Sequence, residues 1–510
     1  MKRKKIVLFG SNIRYVGVPL GLLSITELLD PKKYDIRIIT KNEYPNFKEE
    51  VIKQCDGAFC LGISTITGFP VSVAKEVSQE IKRIYPNIPI IWGGWQPTTL
   101  PEVTLKTPYV DFICMGQGER TFKQFIDILS SEKFSEFAHI SGLGYKKGKK
   151  IILNKRHGTE EIESLPDFQM NLIQWDKYLE VTDFGKKVLR ISTSYGCPYR
   201  CAFCCEPFNS QRLWKANTPT QVIRLLKKMR KIIKFDGITI VDNNFFINEK
   251  RVIDICKGLI KNKFNIKIGQ LSGRTNNLVQ YKPTTWKLMK KAGLYNILIG
   301  AESGNEDTLI SINKDATVQD TLNLAKICNR YRILLIPSVI VGLPNKKYFV
   351  NPNRAFQEDL EGIIDLYNKI SLSGSHHHLL TFPYAPLPFS PLYSKAIELG
   401  FIPPKGIDNW SKYEFTEVHV PWIPAKGFQK IQVLNYISTV AGIDYSHLLN
   451  SVPYIIKIIL APVIQLFKRI GQWRFKTKFL EFPFDMWIFN LGSTVFISLN
   501  KRFRLVNIGG

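Results

Sequence analysis

The chain has 510 residues, of which 45% are hydrophobic and 12% are aromatic. This composition excludes a mainly disordered or low-complexity protein, and the length exceeds one ordinary hydrophobic core, so two or three domains are expected. Lys and Arg outnumber Asp and Glu by 70 to 43, which gives a formal net charge of +27. That excess predicts attraction to an anionic partner, either nucleic acid or an anionic membrane surface.

The amino-terminal residues MKRKKIVLFG place basic residues before a short apolar run. This pattern is typical of a first β-strand rather than of a secretory signal. Nine cysteines in a chain of this size indicate a reducing compartment and a metal site rather than a disulfide framework. We therefore expect a cytoplasmic protein.

Residues 1–140 alternate between strand-like and helix-like segments. The apolar runs KKIVLFG, YDIRIIT, GAFCLGIS, IPIIWGG and VDFICM are separated by helix-like stretches such as Pro19–Asp30 and Val71–Pro86. The alternation predicts an α/β domain with a doubly wound, Rossmann-like parallel sheet, in which ligands bind at the carboxyl ends of the strands. Three loops at those ends contain glycines, which let the backbone approach a bulky ligand closely. Their candidate residues are Ser64 and Thr65; Gly93, Gly94 and Gln96; and Gly116, Gly118 and Glu119.

A loop with three cysteines follows the strand-like run 188–192. Cys197, Cys201 and Cys204 have C-x3-C-x2-C spacing within ISTSYGCPYRCAFCCEP. Soft thiolates grouped this closely suit an iron–sulfur cluster or zinc. Three ligands leave one iron of a cubane open, and Cys205 is too near Cys204 for both to face one cluster. From the spacing alone, a structural zinc site or three unrelated buried thiols are alternatives.

With Phe203 before its last cysteine, the loop resembles the defining motif of the radical S-adenosylmethionine (SAM) enzymes. The resemblance implies that Cys197, Cys201 and Cys204 hold a [4Fe–4S] cluster whose open iron is chelated by SAM. The three glycine loops, in this order, resemble the cobalamin-binding domain found ahead of many radical SAM domains, where GG-x-x-x-T and G-x-G-E-x-T recur. The loop residues named above are then the implied cobalamin contacts.

One departure concerns the lower face of the cobalamin. Cobalamin-dependent mutases carry D-x-H-x-x-G after the first strand, whereas this chain has GSNIRYVGVPLG and no histidine before His139. If cobalamin binds, we expect a lower face without a histidine ligand. Loss of cobalamin binding altogether is the alternative.

Residues 141–186 are rich in Gly, Lys and Glu and predict a short hairpin followed by a linker. Over residues 187–401 the strand and helix alternation resumes, which predicts a partial or full β/α barrel with its chemistry at the carboxyl ends of the strands. Polar residues lie at those ends, and they are Asp242 and Asn243, Arg274, Glu302 and Ser303, and Gly342.

The resemblance gives some of these barrel residues a role in SAM binding. A carboxylate such as Glu302 can hold the ammonium group of SAM, and Arg274 can hold its carboxylate as a bidentate fork. The family pattern also implies contacts from Gly300 and Ser303 and from the Phe203 backbone to the adenine. A surface salt bridge is the alternative role for Glu302.

Two later stretches of the barrel bear on the substrate. His376, His377 and His378 cannot all face one ion, because alternate side chains of a strand point to opposite sides, so a solvent-facing or substrate-lining run is expected. The stretch PLPFS stands where the family carries P-G-T. That loop faces the substrate, so no relative's substrate can be carried over to this chain.

Residues 402–510 lack the strand and helix alternation and predict a mainly helical extension. Two apolar stretches, SVPYIIKIILAPVIQLFKRIG and KFLEFPFDMWIFNLGSTVFISLN, are interrupted by prolines and charges, so neither is a clean spanning helix. Basic residues lie between and after them. A buried helical cap with a solvated basic face is one interpretation, and a surface that dips into an anionic membrane is the other.

The resemblance implies an enzyme that cleaves SAM to a 5′-deoxyadenosyl radical and modifies an unactivated carbon, with methylcobalamin as the methyl source. C-methylation of a lipid-like or natural-product substrate is therefore expected. A radical SAM cyclase or oxidoreductase acting on a lipid or tetrapyrrole is one alternative, and a metal-bound nucleic-acid-binding protein is another. The last lacks interleaved aromatic and basic RNA motifs, so nucleic acid is not expected as a partner. Expected partners are the substrate, a ferredoxin-like or flavodoxin-like electron donor, and the inner face of a membrane.

Overall fold

The computed structural model describes residues 3–14, 17–156, 158, 167–372, 378–442 and 454–492. A seven-stranded sheet forms the first part of the chain, in the order β2-β1-β3-β4-β5-β6-β7. Its strands are β1 Lys4–Gly10, β2 Tyr34–Ile39, β3 Cys60–Ser64, β4 Ile90–Gly93, β5 Phe112–Cys114, β6 Leu143–Lys147 and β7 Lys150–Leu153.

The first five strands of this sheet pair in parallel, and β6 and β7 are added antiparallel. The expected doubly wound parallel sheet is therefore confirmed. The hairpin predicted after residue 140 also forms, and it extends this sheet. Successive side chains of β1 alternate between two apolar clusters: Ile6 and Leu8 lie in one, and Val7 and Phe9 in the other. Period-2 alternation with apolar residues on both sides is typical of a strand covered on both faces.

Helices connect these strands. They are α1 Leu20–Ser24, α2 Phe47–Cys55, α3 Phe69–Ile84, α4 Trp95–Thr99, α5 Pro101–Leu105 and α6 Glu119–Ser131, with a 3-10 turn at Phe134–His139. The helix expected over Pro19–Asp30 was wrong in length. The Thr26 hydroxyl donates to the Leu23 carbonyl at 2.7 Å, and tighter turns follow Ser24. A side chain that competes for backbone carbonyls in this way disfavours further α-helix.

The central part contains two four-stranded sheets, β13-β12-β9-β8 and β14-β15-β16-β17, and a hairpin of β10 and β11. The strands are β8 Glu180–Thr182, β9 Gly185–Ile191, β10 Ser194–Gly196, β11 Trp214–Ala216, β12 Gly237–Ile240, β13 Lys267–Gly269, β14 Leu271–Gly273, β15 Asn296–Glu302, β16 Leu334–Val341 and β17 Leu380–Pro383. β13 and β14 are one stretch interrupted at Gln270, whose φ is +56°. Apart from β8 and the β10–β11 hairpin, all pairings are parallel, so the expected partial β/α barrel is confirmed.

The barrel helices are α7 Glu206–Asn209, α8 Pro219–Ile232, α9 Glu249–Lys261, α10 Thr275–Leu278, α11 Pro283–Lys291, α12 Glu306–Ser311, α13 Val318–Arg330, α14 Lys346–Val350, α15 Pro352–Leu372 and α16 Leu392–Glu398. Short 3-10 turns occur at Met170–Leu172, Trp175–Tyr178 and Phe245–Ile247. The start of α8 is set by a capping box between Thr218 and Gln221 with Pro219 in the first turn. These residues satisfy amide donors that a helix start leaves unpaired.

The C-terminal part contains helices joined by irregular stretches, such as residues 411–426, and no strand among its described residues. It comprises α17 Gly406–Trp410, α18 Gly427–Gly442, the long C-terminal helix Tyr454–Thr477 and the last helix over residues 484–492. Within the described ranges, no helix combines the length and apolar character that crossing a bilayer requires. The stretch around α17 returns to the first domain, where the Trp410 carbonyl accepts from Gly68 N at 3.2 Å and Asp408 pairs with Lys75 at 2.6 Å.

Candidate active site

The cysteine loop connects β10 to β11 and is anchored by Asp242, just beyond the end of β12. The buried carboxylate accepts hydrogen bonds from Thr193 N at 2.6 Å and Ser194 N at 2.9 Å. It also accepts from both hydroxyls at 2.6 Å. Arg251 donates to the Thr193 carbonyl at 2.9 Å from the other side. Since each buried carboxylate oxygen has donors, Asp242 stabilises the start of the loop, and it is not free to bind a ligand.

Hydrogen-bond donors are aimed at the sulfur atoms of the motif cysteines. Arg274 Nη1 lies 2.9 Å from Cys201 Sγ, and the Glu206 backbone amide lies 3.4 Å from Cys204 Sγ. Donors at these positions stabilise thiolates, the form that binds iron. Burial raises the pKa of the Cys197 and Cys204 thiols above the usual value, so cluster binding displaces protons there.

The remaining cysteines do not form disulfides, and all nine are free thiols. Cys205 is buried next to the loop, and burial raises the pKa of its thiol to about 12. Among the described residues, no three His, Cys, Asp or Glu side chains converge as the ligands of one metal ion must. A cubane does not need such convergence, because each cysteine binds a different iron.

Arg274 lies between the cysteine loop and the barrel. It follows β14, is buried, and places its guanidinium 3.9 Å from the centre of the Tyr199 ring. Its Nη2 lies 3.6 Å from Asp315 Oδ2. The planar cation therefore contacts the cysteine loop directly, through Tyr199 and the Cys201 sulfur.

Glu302 ends β15 in a left-handed conformation, with φ of +62°, and is paired with Lys314. Lys314 Nζ lies 2.7 Å from Glu302 Oε1, and the two side chains are 5% and 7% exposed, respectively. The predicted alternative of a surface salt bridge is therefore wrong, because the pair is buried. Gly300 leaves room for this arrangement of the pair, since a Cβ there would lie 2.0 Å from Glu302 Oε1 and the carboxylate would have to shift. Ser303 is also buried, and its hydroxyl accepts from Asn305 N at 3.1 Å.

One short stretch contacts all the parts just described, and we call it the INKD segment (Ile312–Asp315). The Ile312 carbonyl accepts from Ala202 N in the cysteine loop at 2.8 Å. Lys314 Nζ lies 5.9 Å from the centre of the Phe203 ring, in addition to its contact with Glu302, and Asp315 faces Arg274. Sequence analysis missed this segment. The sequence offers a weak signal here, because Asn313 and Asp315 are residue types that tolerate a positive φ. Both adopt a positive φ in the structure.

A cavity of about 450 Å³ lies between the first domain and the barrel. Its walls bring together all three glycine loops and the base of the cysteine loop. The first domain contributes Ser64, Gly93, Gly94, Gly116, Gly118 and Glu119, and the barrel contributes Thr193, Ser194, Tyr195, Glu206, Asn209 and Asn243. Two predicted cobalamin contacts, Thr65 and Gln96, are buried and are not among the lining residues. None of the described residues that line the cavity is a histidine.

The glycine loops suit a ligand that needs close backbone approach. Gly94 has φ of +97°, and a Cβ there would lie 2.5 Å from the Thr65 carbonyl oxygen, so only glycine lets these two loops touch. The stretch after Gly94 was expected to be a loop but forms α4, which begins at Trp95. Gln96 is fully buried, and neither side-chain amide atom has a hydrogen-bond partner in the described part of the chain. Because Gln96 does not line the cavity, its predicted role as a direct cobalamin contact finds no support in this arrangement.

Carboxyl groups also line the cavity. Burial, and then the nearby charges of Glu119 and Asp167, raise the pKa of Glu27 to about 8. Burial likewise raises the pKa of Glu206 above its usual value. The Ser24 hydroxyl donates to Glu119. At neutral pH Glu27 is therefore mainly a neutral acid that can donate as well as accept a hydrogen bond.

The substrate-facing stretches predicted from the sequence differ in how far they are described. His376 and His377 lie outside the described residues, and His378 lies 3.4 Å from the Thr439 hydroxyl. In the PLPFS stretch, Phe389 takes a left-handed φ of +65° where the family has glycine. Its ring stacks on Phe208 of α7 with a centroid distance of 4.0 Å. Phe389 therefore places an aromatic side chain against α7, beside the cysteine loop.

Comparison with known proteins agrees with this geometry. Residues 191–349 match the model of the radical SAM superfamily, and residues 6–126 match that of the B12 binding domain. An uncharacterized methyltransferase of Pyrococcus horikoshii is 27% identical over 403 residues, which cover 78% of this chain and 82% of that protein. The anaerobic magnesium-protoporphyrin IX monomethyl ester cyclase of Rubrivivax gelatinosus is 24% identical over 278 residues, or 54% of this chain and 49% of the cyclase.

Among solved structures, the cobalamin-dependent SAM radical enzyme OxsB superposes with a TM-score of 0.69 at 18% identity, over 92% of this chain and 72% of that one. A glycine-loop α/β domain placed against the cysteine loop of a partial barrel is the architecture of the cobalamin-binding radical SAM enzymes. This chain belongs to the radical SAM superfamily and carries a B12 binding domain ahead of its radical SAM domain. It is an enzyme, and its cofactors are a [4Fe–4S] cluster, SAM and cobalamin.

Proposed function

We propose that this protein is a cobalamin-dependent C-methyltransferase that acts on an unactivated carbon of a lipid-like or natural-product substrate. One observation carries the proposal: the interdomain cavity is lined both by the glycine loops and by residues at the base of the cysteine loop. When bound, the reduced cluster supplies the electron for SAM cleavage, and cobalamin supplies the methyl group. A substrate in this cavity is within reach of both.

Cys197, Cys201 and Cys204 hold the cluster in this proposal, while the residues around Arg274 and Glu302 bind SAM. Arg274 takes the SAM carboxylate, because its guanidinium already lies against the cluster loop and the Cys201 sulfur. Glu302 takes the ammonium group through the carboxylate oxygen that Lys314 leaves open. Gly300 provides the space for that carboxylate, and Phe203 and Ser303 lie at the same edge of the site.

The cobalamin is held by the three glycine loops, with Glu119 and Glu27 accepting and donating hydrogen bonds at its amide side chains. The barrel side of the cavity is polar, and its lining residues include Tyr195 and Glu206, which carry a hydroxyl and a carboxyl group. These groups orient a substrate through its own polar atoms, while the carbon to be methylated needs no activation by acid or base. An electron donor of the ferredoxin or flavodoxin type is acidic, and the +27 charge of this chain attracts it.

Anaerobic reconstitution with iron and sulfide tests the radical chemistry. We expect iron–sulfur absorption and reductive cleavage of SAM, and Cys201→Ala should abolish the cleavage and lower the iron content. Cys205→Ala is the matched control, because this neighbouring buried thiol is outside the proposed ligand set and its variant should keep both properties. Intact SAM cleavage in Cys201→Ala would refute the cluster assignment.

Mass spectrometry of lipid and metabolite extracts, from cells with and without the gene, tests methyl transfer. A product heavier than its precursor by one methylene group is expected. The second candidate is a radical cyclisation or oxidation, which is favoured by the similarity to the protoporphyrin ester cyclase over half of the chain. A product that differs by hydrogen or oxygen alone, with cobalamin still bound, would establish that reaction instead.

A further inference from the structure

The last helix (484–492) presents an apolar stripe to solvent. Phe484, Trp487, Ile488 and Leu491 are 61%, 53%, 62% and 67% exposed, and Phe482 just before the helix is 69% exposed. The spacing of the four helical residues, i, i+3, i+4 and i+7, places them on one face. A face of this kind is normally buried against a core, whereas here it points away from the described part of the chain.

This orientation is fixed by a buried arginine. Arg474 donates to both carboxylate oxygens of Asp485, at 2.6 and 3.1 Å, in a bidentate pair. The same guanidinium donates to the carbonyls of Phe479, Glu481 and Phe482 at 2.8 to 3.1 Å. The turn between the long C-terminal helix and the last helix is therefore held from inside. The outward stripe is part of a built structure rather than a loose end.

All charged residues of the long C-terminal helix, which precedes the apolar stripe, are positive. The long C-terminal helix contains five cations and neither Asp nor Glu, and these cations are Lys457, Lys468, Arg469, Arg474 and Lys476. Both carboxylates of the following stretch are neutralised, Glu481 by Lys430 at 2.8 Å and Asp485 by Arg474. On the same helix Leu466 and Trp473 are more than half exposed. Arg474 is itself buried and paired with Asp485, so the positive charge at this surface comes from Lys468, Arg469 and Lys476, which stand near the exposed aromatic and aliphatic groups.

We propose that this surface, made of Phe482, Phe484, Trp487, Ile488 and Leu491, binds the interfacial region of an anionic lipid bilayer. Aromatic residues on a short amphipathic helix enter the headgroup layer, and neighbouring Lys and Arg side chains contact anionic headgroups. Contact with a second copy is disfavoured, because a twofold interface would bring the cations of both copies together. The proposal goes beyond the reaction proposed above and holds whichever carbon the enzyme modifies.

Co-sedimentation of the full chain with lipid vesicles tests the proposal. We expect binding to phosphatidylcholine vesicles that contain roughly a third phosphatidylglycerol, and binding at least ~10-fold weaker to pure phosphatidylcholine. Added salt should weaken the binding. Phe484→Gln/Trp487→Gln should reduce it by ~10-fold or more. The matched control is Ile310→Gln/Val350→Gln in the barrel, whose residues are 74% and 87% exposed and whose loss should have no effect.

A second pair of variants separates the local surface from net charge. Lys468→Glu/Arg469→Glu should weaken vesicle binding, whereas Lys227→Glu/Lys231→Glu on α8 changes net charge equally and should not. Failure of the unmodified chain to bind anionic vesicles would overturn the proposal, as would equal effects of the two charge variants. So would a dimer in solution that Phe484→Gln/Trp487→Gln converts to a monomer. Because that variant leaves the cofactor sites untouched, it should keep its iron content and SAM cleavage, which separates this test from that of the proposed function.

Discussion

Replacing Lys314 by Met tests the buried pair at the end of β15. The substitution keeps an unbranched apolar side chain but removes the ammonium group that lies 2.7 Å from Glu302 Oε1. Removing one partner of a buried ion pair typically costs about 3–5 kcal/mol, because the other charge is left uncompensated. We therefore expect Glu302 in the variant either to take up a proton or to destabilise the fold. Once protonated, Glu302 is a poorer acceptor for the SAM ammonium group.

The expected loss in SAM affinity follows from one charge-assisted hydrogen bond. Such a bond contributes about 1.5–3 kcal/mol, which corresponds to a SAM dissociation constant raised about 10- to 150-fold. The assay measures the change in the electron paramagnetic resonance spectrum of the reduced cluster as SAM is added, together with iron content. Lys314→Arg should retain most of the affinity, and Lys287→Met on the exposed side of α11 should behave as the unmodified protein. Unchanged SAM affinity and an unchanged unfolding midpoint in Lys314→Met would refute the role given to this pair.

Three further substitutions probe the anchor of the cysteine loop, the glycine loops and the cavity acid. Asp242→Ala removes the acceptor for Thr193 N and Ser194 N, so iron content after reconstitution and the thermal midpoint should both fall. Gly94→Ala should lower cobalamin retention while SAM cleavage persists, because its Cβ would meet the Thr65 carbonyl; Gly57→Ala, a positive-φ glycine with open space, is the control. In cobalamin-free protein, the folded state holds the Glu27 proton up to a pH of about 8, whereas the unfolded chain releases it near 4.5. The stability of the unmodified protein should therefore fall as pH rises between those values. The thermal midpoint of Glu27→Gln should fall less over the same pH range. An equal slope of thermal midpoint against pH in both proteins would contradict this.

The sequence predicted the parts of the site that are carried by local patterns. The cysteine spacing, the glycine loops and the strand ends at Arg274 and Glu302 are continuous stretches with a recognisable period or motif. Lys314 was missed because it follows Glu302 by a helix and a turn, and only the tertiary fold returns it to the carboxylate. The sequence placed Asp242 at a strand end but did not show what its carboxylate binds. A carboxylate that anchors a loop and one that binds a ligand look alike in sequence.

The secondary structure shows the same limit. Capping residues and apolar periods predicted the barrel helices. The first helix, α1, was expected to be longer because its apolar period continues past Ser24. There the Thr26 hydroxyl competes for a backbone carbonyl, and the chain turns instead. Similarly, the hairpin after residue 140 was expected from its glycines, but its addition to the first sheet depends on the free edge of β5. Pairing with an edge strand is a non-local event that a single sequence does not specify.

The cavity between the domains is fixed by contacts on several sides, which bears on how the enzyme works. The Tyr178 hydroxyl of the linker lies 2.7 Å from both Thr40 and Glu43 of the first domain. On another side, Glu414 accepts from Phe69 N at 3.2 Å. Arg156 donates to the carbonyls of Phe208 and Asn209 at the end of α7. These bonds tie the linker and the C-terminal part to the first domain, and the linker to the barrel, so the walls of the cavity are held from several sides.

Helix α7 then joins the two halves of the proposed chemistry within four residues. The Glu206 backbone amide donates to the Cys204 sulfur at 3.4 Å, while its side chain lines the interdomain cavity. One carboxylate oxygen of this buried side chain has no hydrogen-bond partner among the described residues. A buried carboxyl oxygen without a partner is costly, and a substrate hydroxyl or amine would satisfy it. A substrate held there would lie beside the cysteine loop and face the glycine loops, as the proposed methyl transfer would need.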